Sequence, residues 1–102
     1  MPSLKTSYHY IRFSVSPPTS DALKIRKTVQ DALMQSFGLV AANTYMDVLW
    51  LAEDGSEIVL RVGESDASNV MVAVTTSTSS PRLSVTRESP FLPSLLASNI
   101  NL

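Results

Sequence analysis

Apolar and polar residues alternate from Ser7 to Ser16: Ile11, Phe13 and Val15 share one phase with His9, and Tyr8, Tyr10, Arg12 and Ser14 share the other. That period predicts a strand with one apolar face. Pro17-Pro18 ends it, because proline has no N–H to give a ladder. A helix is predicted from about Asp21 to Phe37, with Thr19 or Ser20 as its cap and Asp21 in the first turn. Ala22, Ile25, Val29, Leu33 and Phe37 recur at spacings of three and four and form one apolar stripe. Gly38 sits where a helix ends in a left-handed residue. Residues 45–53 and 56–63 then read as two strands joined by Asp54-Gly55, a dipeptide suited to a type I′ turn. The register from that turn sets Leu51 opposite Ile58, Trp50 opposite Val59, Leu49 opposite Leu60 and Val48 opposite Arg61. Opposed residues share a face. One face is therefore a core face of Leu49, Leu51, Ile58, Leu60 and Val62. The other carries Met46, Val48, Trp50, Ala52, Glu57, Val59 and Arg61, and is too apolar for plain solvent exposure.

The segment 66–80 fits two periods. Val70, Val72 and Val74 suit a strand, whereas Val70, Ala73, Val74 and Ser77 make a helical stripe, with Asp66 and Ser68 as caps. Residues 82–88 alternate again, with Leu83 and Val85 inward. Phe91, Leu92, Leu95 and Leu96 in the tail suit a short helical turn or docking segment. If 66–80 is a helix, the order is βαββαβ. That order predicts an α+β, ferredoxin-like two-layer sandwich: a four-stranded antiparallel sheet with both helices on one face, as in the RNA-recognition motif, and a short C-terminal helical tail. The whole chain, 1–102, is expected to be one domain with an ordered core over about 8–96.

Composition narrows the function classes. The chain has 102 residues, of which 44% are apolar and 17% charged, with no cysteine and a net charge of −1. No disulfide framework, thiolate nucleophile or cysteine zinc site can be built. No run approaches the ~18 apolar residues of a membrane span, and the first residues lack a secretory pattern, so a soluble intracellular protein is expected, with no membrane partner. The charge is unevenly spread. Residues 1–30 hold Lys5, Arg12, Lys24, Arg26 and Lys27 against Asp21, while residues 31–66 hold seven carboxylates against Arg61. The dominant basic footprint of a free-standing nucleic-acid binder is missing.

Little in the chain suggests catalysis. His9 is the only histidine and lacks partners at a recognisable spacing, so it reads as an edge or core residue. Asp47, Glu53, Asp54 and Glu57 read as a solvated hairpin end rather than a metal cluster, with Asp47 alternating away from Glu57. The three glycines are isolated, so no phosphate loop exists. No catalytic residue, metal ligand or protein-bound cofactor is expected. Base stacking on the sheet is disfavoured because the strand SEIVLRVG has no aromatic residue, although Tyr10 is placed for it. Trp, Tyr, Met and Arg on one face are what a protein–protein interface enriches. Tyr10, Met46, Val48, Trp50 and Val59, with Phe91, Leu92 and Leu95 of the tail, are the expected interface residues. Arg12, Lys24, Arg26, Lys27 and Arg61 are the expected RNA contacts. Two other readings fit the same pattern: a stand-alone single-stranded RNA-binding domain using Tyr10, Arg12 and Arg61, and a homodimeric ferredoxin-like ligand sensor joined through the sheet face.

The ordered set YHYIRFSVS, ALMQSFGLVAAN, YMDVLWLAEDGSEIVLRV and SPFLPSLL resembles the small accessory protein subunits of eukaryotic ribonuclease P and ribonuclease MRP. It is most similar to their shorter, less basic branch, and the likeness runs from about residue 8 to residue 96. The resemblance implies an α-β sandwich with a helix at 66–80. It also implies a non-catalytic scaffold in a ribonucleoprotein whose RNA, with its magnesium ions, is the catalyst for tRNA 5′ maturation and rRNA processing. The implied partners are a more basic paralogous α-β subunit, a barrel-like subunit and the particle RNA, the last mostly indirectly. The implied location is the nucleus and nucleolus. The chain lacks the long basic tail that would suit extensive RNA contact of its own.

Overall fold

A computed structural model describes residues 7–38, 44–78 and 81–91. The elements are β1 (Tyr8–Ser16), α1 (Ala22–Phe37), β2 (Met46–Leu51), β3 (Glu57–Gly63), α2 (Ala67–Thr76) and β4 (Arg82–Ser89), with a 3₁₀ turn over Glu64–Asp66. The strands form one antiparallel sheet in the order β2-β3-β1-β4. This is the ferredoxin-like arrangement, and the ambiguous segment contributes its second helix, over Ala67–Thr76. Val70, Ala73 and Val74 are buried while Val72 is half exposed, as a helical period requires and a strand would not.

The core lies between the helices and one face of the sheet. Ile25, Val29, Ala32 and Leu33 of α1 and Val70, Ala73 and Val74 of α2 meet Ile11, Phe13, Val15, Ile58, Leu60, Val62 and Leu83. Ile11, Ile25, Leu33, Ile58 and Leu60 are fully buried, each contributing about 1.5–3 kcal/mol. The cap of α1 is Asp21 itself, not Thr19 or Ser20: its carboxylate accepts from the Leu23 and Lys24 N–H groups at 3.1 and 3.2 Å. Gly38 ends the helix at φ 95°, donating to the Met34 carbonyl.

The β2–β3 turn is not type I′. Asp54 keeps a negative φ and only Gly55, at φ 74°, is left-handed. The connection is a four-residue loop closed by Ala52 N–H donating to Glu57 O, with Gly55 N–H donating to Ala52 O, both at 2.9 Å. The Asp54 carboxylate accepts from the backbone and hydroxyl of Ser56, which makes a side-chain mimic of a turn. The two loops give the same register beside the turn, so Leu51 does pair with Ile58 and Trp50 with Val59. Beyond Trp50 a β-bulge at Leu49 shifts the ladder, and Val48 pairs with Leu60, Asp47 with Arg61 and Met46 with Val62.

The Asp54 turn has a pH consequence. The Ser56 hydroxyl, and then the Ser56 N–H, hold the Asp54 carboxyl below its ordinary 3.8. A lowered folded-state pKa gives stability that is present above the unfolded value and lost as pH falls through the folded one. The stability advantage of the wild type over Asp54→Asn is therefore expected to shrink between pH 5 and pH 3, read from denaturation midpoints at each pH. An advantage that grows on acidification would contradict this role for Asp54.

Candidate functional site

Side chains turned away from the helices make the open face of the sheet. The registers place Tyr8, Tyr10, Arg12 and Ser14 of β1 there, beside Glu57, Val59 and Arg61 of β3, Asp47 and Trp50 of β2, and Arg87 and Ser89 of β4. Two arginine-centred clusters organise it.

The first is built on Arg12, which is 7% exposed and the one buried charged residue among those described. Its Nε donates to Glu57 Oε1, and its guanidinium lies 5.4 Å from the Trp50 ring centroid. Val59 pairs with Arg12 on one side and Trp50 on the other. It is fully buried without belonging to the core cluster. The Arg12–Trp50 contact thus covers an apolar residue on the face opposite the core. Cation–π attraction and a charge-assisted hydrogen bond fix the guanidinium.

The second cluster centres on Arg61. The guanidinium stands 4.6 Å from the Tyr8 ring centroid and 5.9 Å from that of Tyr45. Its terminal nitrogen donates to Tyr45 Oη at 2.9 Å and to Asp47 Oδ2 at 3.1 Å. The Tyr45 hydrogen bond is the main cause that lifts the Arg61 pKa above its ordinary value, so the group stays charged. Arg61 Nε is buried and has no hydrogen-bond partner among the described residues.

These positions revise the expected site. Met46 and Val48 do not lie beside Trp50. The bulge at Leu49 turns them to the helix side, where Met46 is buried in the core and Val48 packs against it. The same bulge brings Asp47 onto the open face, so Asp47 and Glu57 share a face after all, each neutralised by its own arginine. Among the described residues no group of three or more metal-ligating side chains occurs. Trp50 and Val59 are opposed as expected, but Val59 is covered and acts as the floor beneath Trp50 and Arg12. Tyr10 is half-buried on the open face. Phe91 is exposed, and Leu92 and Leu95 lie outside the described residues. Lys24, Arg26 and Lys27 are exposed on α1, in the other layer, and Lys27 pairs with Asp31 at 3.3 Å. The five expected RNA contacts therefore do not form one surface. Sequence reasoning missed the Tyr8–Tyr45–Asp47–Arg61 cluster. The available signal was Asp47, which an unbroken register puts among core residues.

A shallow cleft of about 310 Å³ opens on this face between β1, β3 and β4, lined by Arg12, Glu57, Thr86 and Arg87. Its β4 wall is a second bulge: Arg12 pairs with Arg87 and Phe13 with Val85, leaving Thr86 to donate its hydroxyl to the Arg12 carbonyl at 3.0 Å.

Residues 7–76 match the family described as ribonucleases P/MRP protein subunit Pop8. In structure, the chain is similar to a chain of the cryo-EM structure of yeast ribonuclease MRP, with a TM-score of 0.68 and 17% identity over 89% of this chain and 79% of that one. At that identity the likeness speaks for the fold. No curated protein matches the chain by sequence.

Proposed function

The chain belongs to the Pop8 family of ribonuclease P/MRP protein subunits, and from that premise we propose that it is a non-catalytic scaffold whose open sheet face docks on a protein partner in the particle. The observation that carries the reading is the Trp50–Arg12–Val59 arrangement. A half-buried Trp ring stacked on a buried, neutralised arginine is cheap to cover fully in a partner. Both carboxylate–arginine pairs on the face are already made, so docking against them leaves no arginine–carboxylate pair to be formed. The partner most consistent with the resemblance is the more basic paralogous subunit, with the barrel-like subunit and the particle RNA beyond it.

On this reading the subunit supports tRNA 5′ maturation and rRNA processing in the nucleus and nucleolus. The cleavage chemistry and its magnesium ions belong to the RNA, and the protein holds no cofactor. Tyr10 and Trp50 are the contact residues, Val59 supports them from below, and Phe91 extends the surface towards the tail. The test is affinity purification of the tagged chain from its own cells, with the co-purifying RNA and proteins identified. Recovery of ribonuclease P or MRP RNA with a paralogous α-β subunit is expected. Recovery of the chain alone, or paired only with itself, would overturn the assembly reading.

A further inference from the structure

We propose that the outer flank of α1, with the helix side of β2 beside it, is a second docking surface whose occupant is an acidic amphipathic helix of another subunit. The proposal rests on the chain being a subunit of the particle but not on what covers Trp50, which lies on the opposite side of the sheet. α1 is apolar on two faces. Ile25, Val29, Ala32 and Leu33 form the row buried against the sheet. At about 100° per residue, Leu23, Met34 and Phe37 form another row, within an arc of about 60° and about 130° round the helix from the first. These three are 76%, 41% and 44% exposed. Lys27 and Gln30 interrupt the row near its middle.

The second row faces away from α2. Thr28 and Ala32 line a small pocket with Val74 of α2, so α2 holds the other flank. α2 lies by β4 and α1 by β2, which turns the row towards the outer strand. There the helix side of the sheet is only partly covered, and Val48 and Leu51 are half-buried. A helix laid in that corner covers Val48 and Leu51 together with Leu23, Met34 and Phe37, and adds a third helix to the layer.

Charge selects the occupant. α1 carries Lys24, Arg26 and Lys27 against Asp31. Asp31 already pairs with Lys27, and among the described residues Lys24 and Arg26 belong to no ion pair. Arg26 and Lys27 stand about 50° to either side of the second apolar row, where charges flanking a helix–helix seam set the choice of partner. Carboxylates along the edges of the incoming helix meet both. Other occupants fit less of the surface. Residues 92–102 of this chain have no charged side chain. A second copy brings the surplus positive charge of α1 against itself. An RNA backbone neutralises the cations but leaves Leu23, Met34 and Phe37 in water.

The experiment puts the photo-crosslinker p-benzoylphenylalanine in place of the exposed Phe37 in the tagged full chain, expressed in its own cells. The assembled particle is irradiated, and the adduct is digested and sequenced by mass spectrometry. The expected adduct is a peptide of another subunit with an apolar row at helical spacing and carboxylates flanking it. Arg26→Glu should lower the adduct yield about tenfold, because like charges then face each other, whereas Arg26→Lys should keep most of it. Arg26 is exposed, so both variants keep the fold, and unchanged thermal transitions verify this. An adduct on RNA, on residues 92–102 of the same chain, on a second copy or on a peptide without that pattern would overturn the proposal. So would no adduct from the irradiated particle, or a yield that Arg26→Glu leaves unchanged. Failure of the subunit reading shows separately, as absence of particle RNA from the wild-type purification.

Discussion

Trp50→Ala is expected to cut the particle RNA recovered with the tagged chain about 30-fold, the equivalent of the ~2 kcal/mol of an interface hot spot. The isolated variant should remain folded. Trp50 is half-buried and outside the core cluster, so its removal uncovers Val59 and one side of Arg12 without opening a cavity among Phe13, Leu33 and Leu60. A stability loss of about 1 kcal/mol covers the exposed valine and the lost cation–π contact. Trp50→Phe separates the two roles. It keeps an aromatic ring over Val59 and Arg12 and should restore stability fully but recovery only in part. If Trp50→Ala unfolds the isolated chain, Trp50 is a structural residue and the face is not the docking surface.

A second large effect lies at the hairpin. Gly55→Ala is expected to destabilise the fold by at least about 2 kcal/mol, lowering the thermal midpoint by roughly 8–16 °C in a domain this size. Two independent constraints act there. The residue is left-handed, at φ 74°, and a Cβ would approach the Thr19 backbone to 2.5–2.7 Å. That approach is also a contact, because Thr19 N–H donates to Gly55 O at 3.0 Å and Val15 N–H to Ser56 O at 2.8 Å, tying the hairpin to the β1–α1 connection. Gly38→Ala is the control. Its φ of 95° is also positive, with ψ 178°, but among the described residues nothing lies within 4 Å of the added atom, so only the conformational cost of about 1–3 kcal/mol applies. Equal losses at the two glycines, measured by chemical denaturation, would remove the Thr19 contact from the account.

The parts of the fold legible in the sequence are those where one period dominates. The alternation through Ile11, Phe13 and Val15 allows one buried face and is buried as read. Of the stripe Ala22, Ile25, Val29, Leu33 and Phe37 the three middle residues are buried, while Ala22 is half-buried and Phe37, at the end of the helix beyond the sheet's cover, is exposed. The segment 66–80 needed the resemblance, because three valines at every second position also satisfy a helix when one of them, Val72, is left outside. The site was harder. In MDVLWLA both phases are apolar, so hydrophobicity cannot detect an extra residue, and the bulge at Leu49 exchanges Met46 and Val48 for Asp47 without any change in pattern. Only the charge carried the information: Asp47 needs Arg61 across the ladder, and a continuous register denies it one. The burial of Arg12 and Val59 was invisible for another reason. Each depends on a cross-strand neighbour contributed from a distant part of the chain, and neither residue type announces it.

The two bulges also bear on what this chain does before it is assembled. A sheet with flat outer strands offers its unpaired N–H and C=O groups to any identical strand, which is how fibrils are templated. Here both outer strands, β2 and β4, are kinked by an inserted residue, Leu49 in one and Thr86 in the other. Each kink breaks the spacing that a new strand would need to match. The same two insertions that shape the open face therefore protect free copies from stacking edge to edge, and leave the face as the route by which the chain can be captured.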